Sequence, residues 1–153
     1  MKLAARWIAT LFGVGKLPVA PGTWASLAAL PFAWAITSAW GATGLAAATV
    51  VATAIGWWSA HMYISEIGDS DPREVVVDEL VGQWIALLSA PRELALYAAA
   101  FVMFRLFDIS KPWPIRWADR NVPGGLGVML DDVLAGSFAA AVLALGLWAL
   151  NWQ

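Results

Sequence analysis

The sequence predicts an all-α fold: a polytopic membrane helical bundle of about five membrane helices plus a short N-terminal interfacial helix. Three observations carry this reading. The chain is 61% hydrophobic, with a mean hydropathy of +0.69. Only 13% of its residues are charged, against about 25% in soluble chains. Its apolar residues gather in long runs separated by short polar or Gly/Pro-rich segments, and it holds eleven Trp, a residue enriched at membrane interfaces. A length of 153 residues predicts one domain, 1–153. The net charge of -2, with no basic face, excludes a nucleic-acid partner. The absence of cysteine excludes disulfides, thiolate metal sites and a cysteine nucleophile.

The elements follow in order. Residues 3–12 read as a helix too short to span, seated in the interface. Their apolar core is short and has no small-x-small cleavage site before Lys16, so the segment is expected to stay in the mature chain. Residues 13–22, GVGKLPVAPG, read as a loop. Thr23 is placed as the N-cap of an apolar run from Trp24 to Trp40, kinked at Pro31. Gly41 to Gly44 is expected to be a tight turn, and Leu45 to Ile64 a full span. Residues 65–74 form a polar loop. A shorter apolar segment, Val75 to Ser89, bears Asp78 and Glu79. After a turn at Pro91-Arg92-Glu93, Leu94 to Phe107 is the next membrane segment, and Val128 to Trp148 the last. Two of the five are short by the ~20-residue rule for spans. With the N-terminus inside, all nine bases except Arg92 fall on the inner side, as positive-inside orientation requires. All acids except Glu93 fall there too.

The polar stretch between the last two segments stands out in so oily a chain. Residues 108–136 hold four of the eleven acids (Asp108, Asp119, Asp131, Asp132) and three of the nine bases (Lys111, Arg116, Arg120). Pro123, Gly124, Gly125 and Gly127 are expected to break any helix there, with a helix running on from Gly127. Prolines bracket Trp113, which is read as shaping the site. A weak echo links this stretch to an earlier one: Val75–Gly82 and Val128–Gly136 each carry three apolar residues, two acids and then a small residue about a turn later. Gly82 and Gly136 would allow close helix packing.

Carboxylates at membrane depth must be hydrated, paired or bound to a metal. Asp78, Glu79, Asp131 and Asp132 offer only oxygen ligands, with no His or Cys nearby. That donor set favours a hard cation, Mg²⁺ foremost. Adjacent helical residues point about 100° apart, so one member of each pair is expected to face the ion. The bland reading is acidic charge favouring a helix N-terminus; the scarcity of charge elsewhere weighs against it. Lys16, Lys111, Arg116 and Arg120 lie in inner loops. Lys111 and Arg120, embedded in the polar stretch, are assigned to an anion site. Arg6, Arg105 and Arg116 are assigned to lipid-head anchoring. Gly22 and Thr23, ahead of a helix, can offer backbone N–H groups to a phosphate. His61, the single histidine, is read as packed or interfacial, and Asp69-Ser70-Asp71 as a solvated loop.

Three segments together resemble the phosphatidylglycerophosphatase A family of small bacterial inner-membrane lipid phosphatases. They are GVGKLPVAPGTWASLAALP at 13–31, VVVDELVGQWIAL at 75–87 and FRLFDISKPWPIRWADRNVPGGLGVMLDDVLAG at 104–136. The resemblance implies Mg²⁺-dependent removal of the terminal phosphate of phosphatidylglycerophosphate, giving phosphatidylglycerol. It implies a multi-pass protein of the bacterial inner membrane with its site on the cytoplasmic side. It carries Pro21, Gly22, Thr23, Asp78, Glu79, Gly82, Asp108, Lys111, Asp119, Arg120, Asn121, Gly124, Gly125, Asp131, Asp132 and Gly136 as candidates.

The combined expectation is as follows. Asp78, Glu79, Asp131 and Asp132 hold the metal. Asp108, Lys111, Asp119 and Arg120 are catalytic. Lys16, Gly22, Thr23 and Asn121 bind the substrate. Either a metal-activated water attacks, with Asp119 or Asp108 as base, or an Asp attacks and forms an acyl phosphate; water is preferred. The alternatives are another lipid phosphate, phosphatidate or a prenyl phosphate, and a cation-coupled carrier, which would place its acids near the midplane.

Overall fold

The computed structural model describes residues 2–69 and 72–151. Ser70 and Asp71 of the Asp69-Ser70-Asp71 motif lie outside the described residues, as do the terminal Trp152 and Gln153. Among those described, every regular element is helical: α1 (Lys2–Ala9), a 3-10 turn (Leu11–Lys16), α2 (Pro21–Ile67), α3 (Val77–Leu87), α4 (Leu94–Ser110), α5 (Ile115–Asn121) and α6 (Gly124–Asn151).

The sequence divides α2 into two arms at Gly41, whose φ of 67° and ψ of -167° only glycine adopts readily. The expected turn over 41–44 thus narrows to one residue, and Pro31 lies inside the helix. Helix α2 starts at Pro21, two residues before the expected cap at Thr23, because proline suits the first helical position. The polar stretch differs most from expectation. Residues 115–121 form α5, and α6 begins at Gly124, so Gly125 and Gly127 are helical. Their lack of a side chain serves packing: a Cβ at Gly125 would meet the His61 backbone N at 2.6 Å.

Among the described residues, two helices are long and apolar enough to cross a membrane, α2 and α6 over Gly124–Leu150. Helix α3, of 11 residues, is about 16 Å long and α4, of 17, about 25 Å. Both fall short of a hydrocarbon core of about 30 Å, so five full spans do not follow from length. The outer surface is nonetheless oily, with Val50 70%, Leu94 80% and Leu145 65% exposed. A surface this apolar fits lipid contact.

The interior is built largely from small residues. Ala25, Ala29, Ala33, Ala60, Ala86, Ala100, Ala135 and Ala139 are all fully buried, which lets helix backbones approach closely. Phe104, Leu87, Leu45 and Met129 fill the space between them. Trp84 Nε1 donates to the Ala29 carbonyl at 3.0 Å, tying α3 to the first arm of α2. The two ends of the bundle differ in chemistry. At one end Arg92 donates to Ser38 Oγ at 2.7 Å and lies over the Trp34 ring, next to the Gly41 break. At the other end the starts of α2, α3 and α6 meet the ends of α4 and α5 around a polar cavity.

Candidate active site

That cavity follows from one helix crossing. A Cβ on Gly82 of α3 would lie 2.7 Å from the Asp132 carbonyl oxygen, and one on Gly136 of α6 would lie 3.1 Å from Gly82 Cα. Only glycines permit that approach. Asp78 and Asp132 each stand four residues before their glycine, one turn nearer the polar end. The crossing therefore brings these two carboxylates together, although they are far apart in the chain.

Asp78, Glu79 and Asp132 each offer a carboxylate oxygen, and these atoms all lie within 4.8 Å of one another. Asp78 is 8% and Asp132 3% exposed. Glu79 reaches the group from beside the start of α2, where a Cβ on Gly22 would sit 3.2 Å from Glu79 Cγ and collide with the carboxylate. The donor set fits a hard cation. It is all oxygen, and Glu79 Oε2 and Asp132 Oδ2 are buried without a hydrogen-bond partner. Like charges this close repel strongly unless an ion or protons neutralise them.

Asp131, expected among the metal ligands, lines the same cavity beside a lysine: its Oδ2 accepts from Lys111 Nζ at 2.7 Å, and it is not one of the three whose oxygens lie within 4.8 Å of one another. The cause is the helical rotation between neighbours: with Asp132 turned toward α3, Asp131 faces the α4–α5 junction. Lys111 also forms an ion pair with Asp119 of α5. Burial opposes the lysine's charge, but its hydrogen bonds to Asp119 and Asp131 outweigh this and push its pKa above the ordinary value. Lys111 caps α4 in a left-handed conformation, φ 43°, which turns its side chain back over the cavity.

The cavity has a volume of about 600 Å³ and is lined by Gly22, Asp78, Glu79, Asp108, Lys111, Asp119, Arg120, Asn121, Gly124, Asp131 and Asp132 among others. Ten of the twelve expected site residues are thus brought together. Thr23 and Lys16 are not. Gly22, rather than Thr23, is the α2 residue against Glu79. Lys16 lines a separate cavity of about 290 Å³ with Arg6, Thr10 and Tyr63. Left-handed Phe12 and Gly13 turn the chain back on α1 and carry Lys16 away. His61 is exposed and outside the polar cavity.

Two cations on the cavity wall had other readings or none. Arg105, assigned to lipid anchoring, forms an ion pair with Asp108 inside the cavity. Their spacing of three on one helix was a legible signal. Arg73 also lines the wall and donates to the Pro18 carbonyl at 3.0 Å; nothing in its local sequence marked it. Arg6, by contrast, makes a two-pronged pair with Glu66, at 3.1 and 2.8 Å, well away from the site.

Three carboxylates able to hold a cation, beside a cavity lined with Lys and Arg, suit a phosphate ester. The comparisons with known proteins agree. The Phosphatidylglycerophosphatase A family model matches residues 7–147. The chain is 41% identical over 147 residues to Phosphatidylglycerophosphatase A of Escherichia coli, covering 94% of this chain and 84% of that protein. It is 37% identical over 145 residues to Phosphatidylglycerophosphatase A of Haemophilus influenzae, covering 94% and 89%. It is 43% identical over 153 residues to a putative phosphatidylinositol-3-phosphatase of Bacteroides thetaiotaomicron, covering 94% of each chain. No solved structure matches. From residue 7 to residue 147, then, the sequence that builds this cavity is that of a known group, and the chain belongs to the Phosphatidylglycerophosphatase A family.

Proposed function

We propose that this chain is a Mg²⁺-dependent membrane phosphatase. It hydrolyses phosphatidylglycerophosphate to phosphatidylglycerol and phosphate in phospholipid biosynthesis, at the cytoplasmic face of the bacterial inner membrane. The observation that carries the reading is the meeting of Asp78, Glu79 and Asp132 within 4.8 Å, on the wall of a cavity shared with Lys111 and Arg120. The names of the E. coli and H. influenzae relatives supply the substrate. The chain acts as one domain. Both arms of α2, with α3, α4 and α6, cross the bilayer, the short helices leaning on their neighbours or thinning it locally.

Asp78, Glu79 and Asp132 would hold the ion. When bound, Mg²⁺ supplies charge neutralisation and polarisation of the phosphoryl group. Lys111 and Arg120 meet the charge that develops on the phosphoryl oxygens. Asp131 and Asp119 hold the Lys111 ammonium in place. Asp119 or Asp108 accepts the proton of the attacking water; Asp119 is paired with Lys111 and Asp108 with Arg105, and substrate phosphate drawing either cation away frees the acid beside it. The P–O bond to glycerol breaks as the water oxygen bonds to phosphorus, the glycerol oxygen takes up the proton that the acid received, and the diacyl tails never quit the bilayer.

Phosphate release by the purified enzyme from phosphatidylglycerophosphate, in Mg²⁺ and then in EDTA, tests the reading. Turnover that is indifferent to EDTA sinks the metal, and no turnover at all sinks the substrate. A second reading, a phosphoinositide phosphatase, is favoured by the name of the B. thetaiotaomicron relative. Both head groups carry a terminal phosphomonoester outside the phosphodiester that joins them to the lipid, and a parallel assay on phosphatidylinositol 3-phosphate separates them.

A further inference from the structure

A second cavity, of about 370 Å³, abuts the first and is lined by Pro112, Trp113, Arg116, Trp117, Arg120 and Asn121. Arg120 and Asn121 belong to both walls. The two cavities are therefore neighbours across a single turn of α5. They differ in how their cations are occupied. In the inner cavity Lys111 is bound by Asp119 and Asp131, and Arg105 by Asp108, while Arg73 donates to the Pro18 carbonyl and Arg120 is shared with the outer wall. Among the described residues, neither Arg116 nor Arg120 has a carboxylate partner. Arg116 donates only to the Ser110 carbonyl, at 3.3 Å. The outer cavity thus holds guanidinium groups with hydrogen-bonding capacity to spare and no acid to neutralise them. Trp113 is 80% and Trp117 55% exposed, as befits side chains at the level of lipid head groups.

We infer that the outer cavity is a binding site for the phosphodiester of the substrate lipid, with Arg116 as the residue that selects lipids carrying both a diester and a terminal monoester. This rests on the proposed function. A head group with a monoester at its tip must place a second phosphate one glycerol unit away, toward the bilayer. With the monoester against Lys111 and the three carboxylates, the adjoining cavity, which shares Arg120 and Asn121 with the first and carries Arg116 and the two tryptophans, is the one we assign to the diester. Arg120, on the shared wall, lies between the two phosphates. Arginine suits this task because its planar fork grips phosphate oxygens in pairs. Phosphatidate has no diester, so it occupies the inner cavity alone and gains nothing from Arg116.

The experiment compares kcat/KM for phosphatidylglycerophosphate and for phosphatidate, both in phosphatidylcholine vesicles, in the wild type, Arg116→Gln and Arg116→Lys. The expected result is a loss of about tenfold or more for Arg116→Gln on phosphatidylglycerophosphate, with phosphatidate hydrolysis unchanged. Arg116→Lys keeps the charge without the fork and falls between. Equal losses on both substrates mean that Arg116 only anchors or stabilises the protein, and overturn the subsite. An unchanged ratio with full activity overturns it as well. If Arg116→Gln does not fold, the Arg116→Lys ratio decides alone. Wild-type enzyme inert on phosphatidylglycerophosphate brings down the proposed function and the subsite together, which separates that failure from the others.

Discussion

The acid-bearing turns of α3 and α6 look alike in sequence and are used differently. Written out, Asp78-Glu79 and Asp131-Asp132 are each a pair of acids between apolar residues. The structure aligns them by their glycines, and that register pairs Asp78 with Asp132 rather than with Asp131. The remaining acids then fall on opposite sides. Glu79 follows its partner in the chain and turns toward the start of α2, where Gly22 leaves room for it to stay with Asp78 and Asp132. Asp131 precedes its partner and turns toward Lys111. A shift of one residue relative to the crossing point, about 100° of rotation, separates a carboxylate grouped with two others from one that accepts from a lysine.

The largest expected effect tests that division directly. Asp132→Asn should lower kcat for phosphate release by more than about a hundredfold, beyond the range typical of outer-shell partners of a metal. The same substitution removes one of three crowded buried carboxylates. In EDTA the variant should therefore unfold at a temperature no lower than the wild type, as read by circular dichroism. A clear destabilisation would mean that the three acids do not repel one another in the folded state.

Next in size is the crossing itself. Gly82→Val places methyl groups where the Phe104 ring and the Asp132 carbonyl stand. Overpacking of this kind costs about 1–3 kcal/mol. The thermal midpoint should fall, and activity with it, because Asp78 and Asp132 are driven apart. A variant of normal activity would show that the acids do not need this crossing.

Asp131→Asn should be milder, about ten- to a hundredfold in kcat, with the Mg²⁺ concentration for half-maximal rate unchanged. Its carboxylate orients Lys111, and Asp119 remains to do so. A Mg²⁺ requirement that rises with this variant would place Asp131 back among the ion's ligands and erase the contrast between the two turns. The smallest effect belongs to the far end of the bundle. Arg92→Ala breaks an exposed contact with Ser38 and Trp34, should cost under about 1 kcal/mol, and should leave kcat and KM as they are.

Much of this was legible in the chain. Long apolar runs and scarce charge determine an all-helical molecule with a lipid-compatible surface, because an oily backbone far from water must satisfy its own hydrogen bonds. The same scarcity singled out Asp78, Glu79, Asp108, Lys111, Asp119, Arg120, Asp131 and Asp132, since each ionised group in such a chain needs a partner or a use. Gly82 and Gly136 were readable as a close contact because no other residue lets backbones approach so far.

What only the tertiary structure decided was direction. Whether Asp131 or Asp132 meets α3, whether Gly22 or Thr23 meets Glu79, and whether Lys16 joins the site all depend on the rotation of one helix against another. Local propensity does not record that rotation; it is set by packing among residues distant in the sequence. The same holds for α5, which the prolines and glycines around it concealed, and whose seven residues carry Asp119 and Arg120 to the cavity and Arg116 to its neighbour.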